Sequence, residues 1–165
     1  MKQIHILRRF LLLAVLSWAL LAEGARPGPL PVLRLTTVDG AAVDNSSLPA
    51  RGKWILVYVA PFSHSTNTLL TLMNKARHPG LAQKTVILVA GTADQTRKLK
   101  TAYPDLAAAQ WYSDVGKDAA TAIKLRGVPV ILGISDQNLR WVQNGIPQDR
   151  QVFHSMVDSW AKAKP

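Results

Sequence analysis

Uninterrupted apolar segments alternate along the chain with segments of helical periodicity, and this alternation predicts the secondary structure. Three apolar runs predict strands buried on both faces of a sheet: WILVYVA, TVILVAG and VPVILGIS. Further strands are predicted at residues 32–37, about 42–43, 110–115 and 139–145. Helices are predicted at residues 64–77, 92–103, 117–125 and 147–163.

Two of these helices have a recognisable apolar face. In the first helix the face consists of Leu69, Leu70, Met73 and Ala76. This helix should end at His78-Pro79-Gly80, because proline cannot continue a helix. In the last helix a four-residue spacing relates Val152, Met156 and Trp160.

Strands alternating with helices, followed by a hairpin and a closing helix, predict an α/β domain. Its mixed central β-sheet should be flanked by helices on both faces. The proline- and glycine-rich residues 25–31, ARPGPLP, are interpreted as a linker, and residues 32–163 as the single domain.

The N-terminal segment has the pattern of a secretory signal peptide. A basic stretch precedes an apolar run from Phe10 to Ala22, and small residues stand at its end and two positions later, at Ala22 and Gly24. The run is shorter than the roughly 20 residues that span a bilayer. We therefore expect residues 1–24 to be removed after Gly24 and the protein to be exported to the periplasm or secreted; an uncleaved membrane anchor is the alternative.

Net charge and cysteine content limit the classes of partner that we expect. The formal net charge is +10 and there is no cysteine, so no disulfide holds the fold. The positive charge suits an acidic partner or an anionic surface, whereas export argues against nucleic acid. Membrane contact is expected only if the signal segment is retained.

Three stretches carry a resemblance to a known family: TTVDGAAV, LPARGKWILVYVAPFS and LRGVPVILGISDQNLRWVQNGIP. Together they resemble the thioredoxin-like fold, in particular its exported TlpA-like and peroxiredoxin-like redoxins. The resemblance implies that Val128-Pro129 is the cis-proline next to the active site.

The sequence departs from this family at the catalytic positions. Ser63 and Thr66 stand where the redoxins have the two cysteines, and Val57 stands where many have an acid. A hydroxyl cannot form a mixed disulfide, so dithiol catalysis is excluded. We assign no catalytic residue, metal ligand or cofactor.

Three roles remain open for Ser63. It can cap the following helix, act as a nucleophile with His64 as base, or help a helix N-terminus to bind a ligand or anion. The cap is the simplest of the three.

Two functional hypotheses follow. The first is a non-catalytic binding module that holds an exported or envelope protein in the cis-proline groove, with Pro61, Phe62, His64, Val128 and Pro129 as candidate contacts. The alternative is an oxidoreductase-family member with unrecognised chemistry at Ser63 and His64.

The signal peptide gives a direct prediction. Protein purified from an exporting host should begin near Ala25, because the apolar run is too short to anchor it and ends in small residues. N-terminal sequencing of the soluble fraction tests this. Recovery of chains that still begin at Met1, in the membrane fraction, would contradict the expectation.

Overall fold

The structure is a computed structural model that describes residues 24–74 and 80–162. The described residues form eight strands: β1 Gly28–Pro29, β2 Leu35–Thr37, β3 Ala42–Val43, β4 Lys53–Val59, β5 Thr85–Val89, β6 Gln110–Ser113, β7 Val130–Ser135 and β8 Asn138–Asn144. Their α-helices are α1 His64–Asn74, α2 Ala93–Ala102, α3 Asp118–Ile123 and α4 Arg150–Lys162. Single 3-10 turns precede β4, β5 and β6.

The strands form one mixed sheet in the order β1-β8-β7-β4-β5-β6-β2-β3. The central strand β4 pairs in parallel with β5 and antiparallel with β7. A parallel pair needs a crossover, which α1 provides between β4 and β5. A tight hairpin joins β7 to β8, and its turn residues Asp136 and Gln137 both have positive φ. The predicted α/β architecture is therefore confirmed.

Two hydrophobic cores cover the two faces of the sheet. They arise because successive residues of a strand point to opposite faces. One core combines β4 residues with side chains from α1, α2 and α4, and takes Ile55, Val57 and Val59. The other is covered by α3 and by residues near β2, and takes Trp54, Leu56 and Tyr58.

The segment predicted as a linker is partly attached to the sheet. Gly28–Pro29 forms the edge strand β1 against β8, and the Leu30 N–H donates to the Gln137 carbonyl at 2.8 Å. A proline is compatible with an edge strand, because the N–H that it lacks is needed least there. The glycine and proline content alone therefore misjudged these residues.

The buried face of α4 also differs from the predicted one. Val152 is 55% exposed, while Phe153 and Val157 are buried in the core beneath α4. Met156 and Trp160 pack partly against that core. The predicted four-residue spacing is present, but the buried face of α4 is centred on Phe153 and Val157 instead of Val152 and Met156.

The predicted face of α1 is buried at Leu69, Leu70 and Met73. Ala76 and most of the predicted helix stop lie outside the described residues, as do residues 1–23 of the predicted signal peptide. Within the described ranges, no helix combines the length and the apolar character needed to cross a membrane.

The β7–β8 pair generates a stability prediction. Gly133 lies opposite Trp141, and a Cβ atom on Gly133 would come within 2.1 Å of the Trp141 indole nitrogen. We expect Gly133→Ala to displace this indole and lower the free energy of unfolding by about 1–3 kcal/mol, as overpacking does. Denaturant unfolding measures the change.

Gly116→Ala is the matched control, because a Cβ atom there would meet its nearest neighbour at 3.5 Å. Equal stability of the two variants would show that Trp141 does not restrict this position.

Candidate functional site

The site begins at the turn between β4 and α1. Phe62 adopts φ of 58° there, a left-handed conformation that is uncommon for a residue other than glycine. Its side chain remains in solvent, since Phe62 is 59% exposed. The turn therefore presents a large apolar ring at the surface, next to the start of α1.

Ser63 caps α1. Its Oγ accepts a hydrogen bond from the Thr66 backbone N–H at 3.1 Å, and its carbonyl accepts one from the Asn67 N–H at 3.0 Å. The same Oγ donates to Thr66 Oγ1 at 2.8 Å, and Thr66 Oγ1 donates to the Ala60 carbonyl at 2.7 Å. The hydroxyls of Ser63 and Thr66 thus tie the start of the helix to the end of β4.

This arrangement does not support a nucleophilic Ser63. A nucleophile needs a base within hydrogen-bond reach, but within the described residues the Oγ bonds only to Ser65 and Thr66. The imidazole of His64 is exposed and takes no part in the network. Of the three roles that the sequence left open, the helix cap is the one that the geometry displays.

The second part of the site is the segment before β7. The Val128–Pro129 peptide bond is cis. Tyr58 lies opposite Val130 in the antiparallel ladder, and continuing this register brings Val128 beside Ala60. In the described part of the chain, no hydrogen bond engages the backbone N–H or C=O of Val128. This segment therefore offers an unpaired donor and an unpaired acceptor at the end of β4.

An apolar pocket of about 340 Å³ opens next to Val128. Its lining consists of Tyr58, Ala60, Ala90, Lys117, Ala120, Leu125, Gly127 and Val128. The alternation of the strands explains the space. On this face β4 continues as Leu56, Tyr58 and Ala60, and β5 as Val86, Leu88 and Ala90. Both series end in alanine, whose side chain is too small to fill the volume beneath α3.

The pocket is bordered by a satisfied polar pair. The hydroxyl of Tyr58 donates to Asp114 Oδ2 at 3.0 Å, and the Asp114 carboxylate also accepts the backbone N–H groups of Ala119 and Ala120 at 3.1 Å each. Burial, and then the neighbouring carboxylate, raise the pKa of Tyr58. Tyr58 therefore stays protonated at physiological pH, and its proton is already committed to Asp114.

His64 lies on a different depression of about 300 Å³, between α1 and the start of α4. Its lining is His64, Asn67, Thr68, Thr71, Leu72 and Arg150. His64 is thus on a separate surface from the Val128 pocket. Across residues 24–74 and 80–162, no group of three histidine or acidic side chains is arranged to hold a metal ion.

Solved structures share this architecture. One is a putative thiol:disulfide interchange protein DsbE from Chlorobium tepidum, with a TM-score of 0.66 at 14% identity over 84% of this chain and 99% of that chain. The fold is thioredoxin-like. A second thiol:disulfide interchange protein of that organism, from the thioredoxin family, gives 0.61 at 17% identity over 83% and 98% of the two chains.

A secreted Mycobacterium tuberculosis disulfide oxidoreductase, homologous to Escherichia coli DsbE, gives a TM-score of 0.60 at 14% identity, over 77% of this chain and 95% of that chain. At such identities the likeness concerns the fold. No protein-family model matches the sequence, and no curated protein matches it significantly.

The structure separates the predicted site residues into groups. Pro61, Phe62 and Ser63 form the turn before α1, while Thr66 and Pro129 are buried and out of reach of a partner. Val128 is 37% exposed and lies at the pocket.

Sequence reasoning missed the pocket itself. The signal that was available is the change from large side chains to alanine at the ends of both WILVYVA and TVILVA.

The cap gives a prediction for Ser63. We expect Ser63→Ala to lower the free energy of unfolding by about 0.5–2 kcal/mol, because the Thr66 N–H loses its acceptor. Ser63→Asn retains a capping side chain and should recover most of the loss. Denaturant unfolding of the three proteins tests this. Equal stability of Ser63→Ala and wild type would mean that the cap contributes nothing.

Proposed function

We propose that the protein is an exported thioredoxin-like binding module that performs no dithiol chemistry. It holds an extended segment of another exported or envelope protein at Val128. The observation that carries the proposal is the unpaired backbone of Val128 beside the end of β4. An extended peptide can add to such a backbone as a further strand.

The exposed surface around this backbone is consistent with docking. Five large hydrophobic residues of the described chain are exposed: Val32, Phe62, Val115, Val128 and Val152. Two of them flank the end of β4, Phe62 in the turn before α1 and Val128 in the cis-proline segment. A partner segment that lies across this edge would remove both from water, which favours association.

An oxidoreductase activity finds less support. The chain has no cysteine, and the Ser63 hydroxyl is committed to the cap without a base to activate it. The fold is similar to that of solved thiol:disulfide interchange proteins, but thiol–disulfide exchange needs a thiolate. Binding of a protein segment, unlike this chemistry, does not require a thiol.

Export rests on two supports. The N-terminal sequence has the three parts of a signal peptide, and one structural neighbour is a secreted disulfide oxidoreductase. Both agree with a partner outside the cytoplasm.

The test titrates the ¹⁵N-labelled mature chain with a protein whose fold depends on its disulfides and which has been reduced and carbamidomethylated, so that it stays unfolded. We expect amide shifts to concentrate at Phe62, Gly127 and Val128. Val128→Asp should weaken binding, because it places a charge on the apolar contact. Val32→Asp is the matched control, since Val32 is 74% exposed and its neighbours Pro31 and Leu33 bond to Asn45, before the start of β4. Shifts that avoid Val128, or equal effects of the two variants, would contradict the proposal.

An assay of insulin reduction by dithiothreitol tests the alternative that the protein is an oxidoreductase. Wild type and Ser63→Ala should both be inert. The double variant Ser63→Cys/Thr66→Cys is the positive control, because the hydroxyl oxygens it replaces already lie 2.8 Å apart. Wild-type turnover that Ser63→Ala abolishes would establish Ser63 as a catalytic group instead.

A further inference from the structure

Hydrogen bonding to the Val128 backbone does not by itself make use of the pocket next to Val128. We infer that it receives one large apolar side chain of the bound segment, and that an acidic residue two positions away in that segment pairs with Lys117. This inference rests on the proposed function, since it assumes that the segment is held at Val128.

The size and lining of the pocket select the occupant. At about 340 Å³ it lies at the low end of the range for small-molecule sites, which suits a single side chain better than a cofactor. The methyl groups of Ala60, Ala90 and Ala120 leave the space open, and Leu125 makes its wall more apolar. The Tyr58 hydroxyl already donates to Asp114, so its proton is not free to bond to a polar occupant. An apolar side chain loses no hydrogen bonds on entering such a pocket, whereas a polar one does unless it finds a new partner.

The position of Val128 sets the geometry. Val128 lines the pocket and also carries the unpaired N–H and C=O. A segment that pairs with this backbone is extended, so its side chains alternate between two faces. One of its residues can then enter the pocket while the residue on either side of it points away. The residues at i−2 and i+2 return to the pocket side.

Lys117 supplies the charge preference. It is exposed, lines the pocket and adopts a left-handed conformation before α3. Within the described residues the Lys117 ammonium group has no ion-pair partner. The oxygens of nearby Asp114 are taken by Tyr58, Ala119 and Ala120, and Asp118 is exposed to solvent. An acid at i−2 or i+2 of the segment meets an unengaged positive charge.

The experiment selects a phage-displayed library of cysteine-free random nonapeptides on the mature chain. Selected peptides should share Phe, Leu or Met with Asp or Glu two positions away. Replacing the apolar residue of a selected peptide by alanine should weaken binding at least tenfold. Ala90→Leu, which fills the pocket, should weaken binding by a similar factor, whereas Ala102→Leu on the exposed end of α2 should not.

Lys117→Gln should weaken binding of the acidic peptides about two- to fivefold at low salt. It should leave binding unchanged when serine replaces the acid. Circular dichroism and thermal unfolding confirm that each variant is folded, and Ala120→Leu replaces Ala90→Leu if the latter is not.

The outcomes separate this inference from the proposal beneath it. Peptides that shift the Val128 amide but bind equally well to Ala90→Leu, or without a large apolar residue, overturn the pocket and leave the binding module standing. Peptides that tolerate Lys117→Gln overturn only the acidic preference. A library that yields no binder overturns both.

Discussion

The hydrogen bond from the Thr66 hydroxyl to the Ala60 carbonyl fixes where β4 ends, and the whole site depends on that end. Beyond Ala60 the chain turns through Phe62 and enters α1, which Ser63 caps. On the other side of β4, the antiparallel register with β7 brings Val128 to the same edge. The hydroxyls of Ser63 and Thr66 therefore stabilise the turn at which the similar redoxins carry their two cysteines.

The parts of the fold that the sequence predicted well are those with one strong physical signal. WILVYVA and TVILVAG are continuous apolar runs, and both are buried parallel neighbours at the centre of the sheet. The helix after TVILVAG begins at Ala93 because Thr92 and Gln95 form a capping box, a pattern visible in the sequence. In each case burial and local hydrogen bonding favour the same structure.

The errors occurred where local composition and tertiary contacts disagree. Gly28 and Pro29 look like a linker, yet the edge of β8 provides hydrogen-bond partners that composition cannot reveal. On α4, two apolar series of equal spacing compete, and only the packing against β4 decides for Phe153 and Val157 over Val152. The pocket was missed for a related reason. An alanine at the end of an apolar run indicates a buried position. It does not indicate whether the neighbouring side chains fill the space above the alanine or leave a cavity there.

The absence of cysteine separates two properties, catalysis and binding, that coincide in a redox protein. Catalysis requires a group whose interactions strengthen in the transition state, and here the only candidates at the positions of the cysteines have their protons committed to the Ser63–Thr66–Ala60 chain. Binding requires only complementary surface in the ground state. In the binding module proposed above, that surface would consist of the unpaired backbone at Val128, the apolar pocket beside it and the charge of Lys117. None of these three features requires a sulfur atom at position 63 or 66, because the Ser63 and Thr66 hydroxyls already bond to each other and to the end of β4.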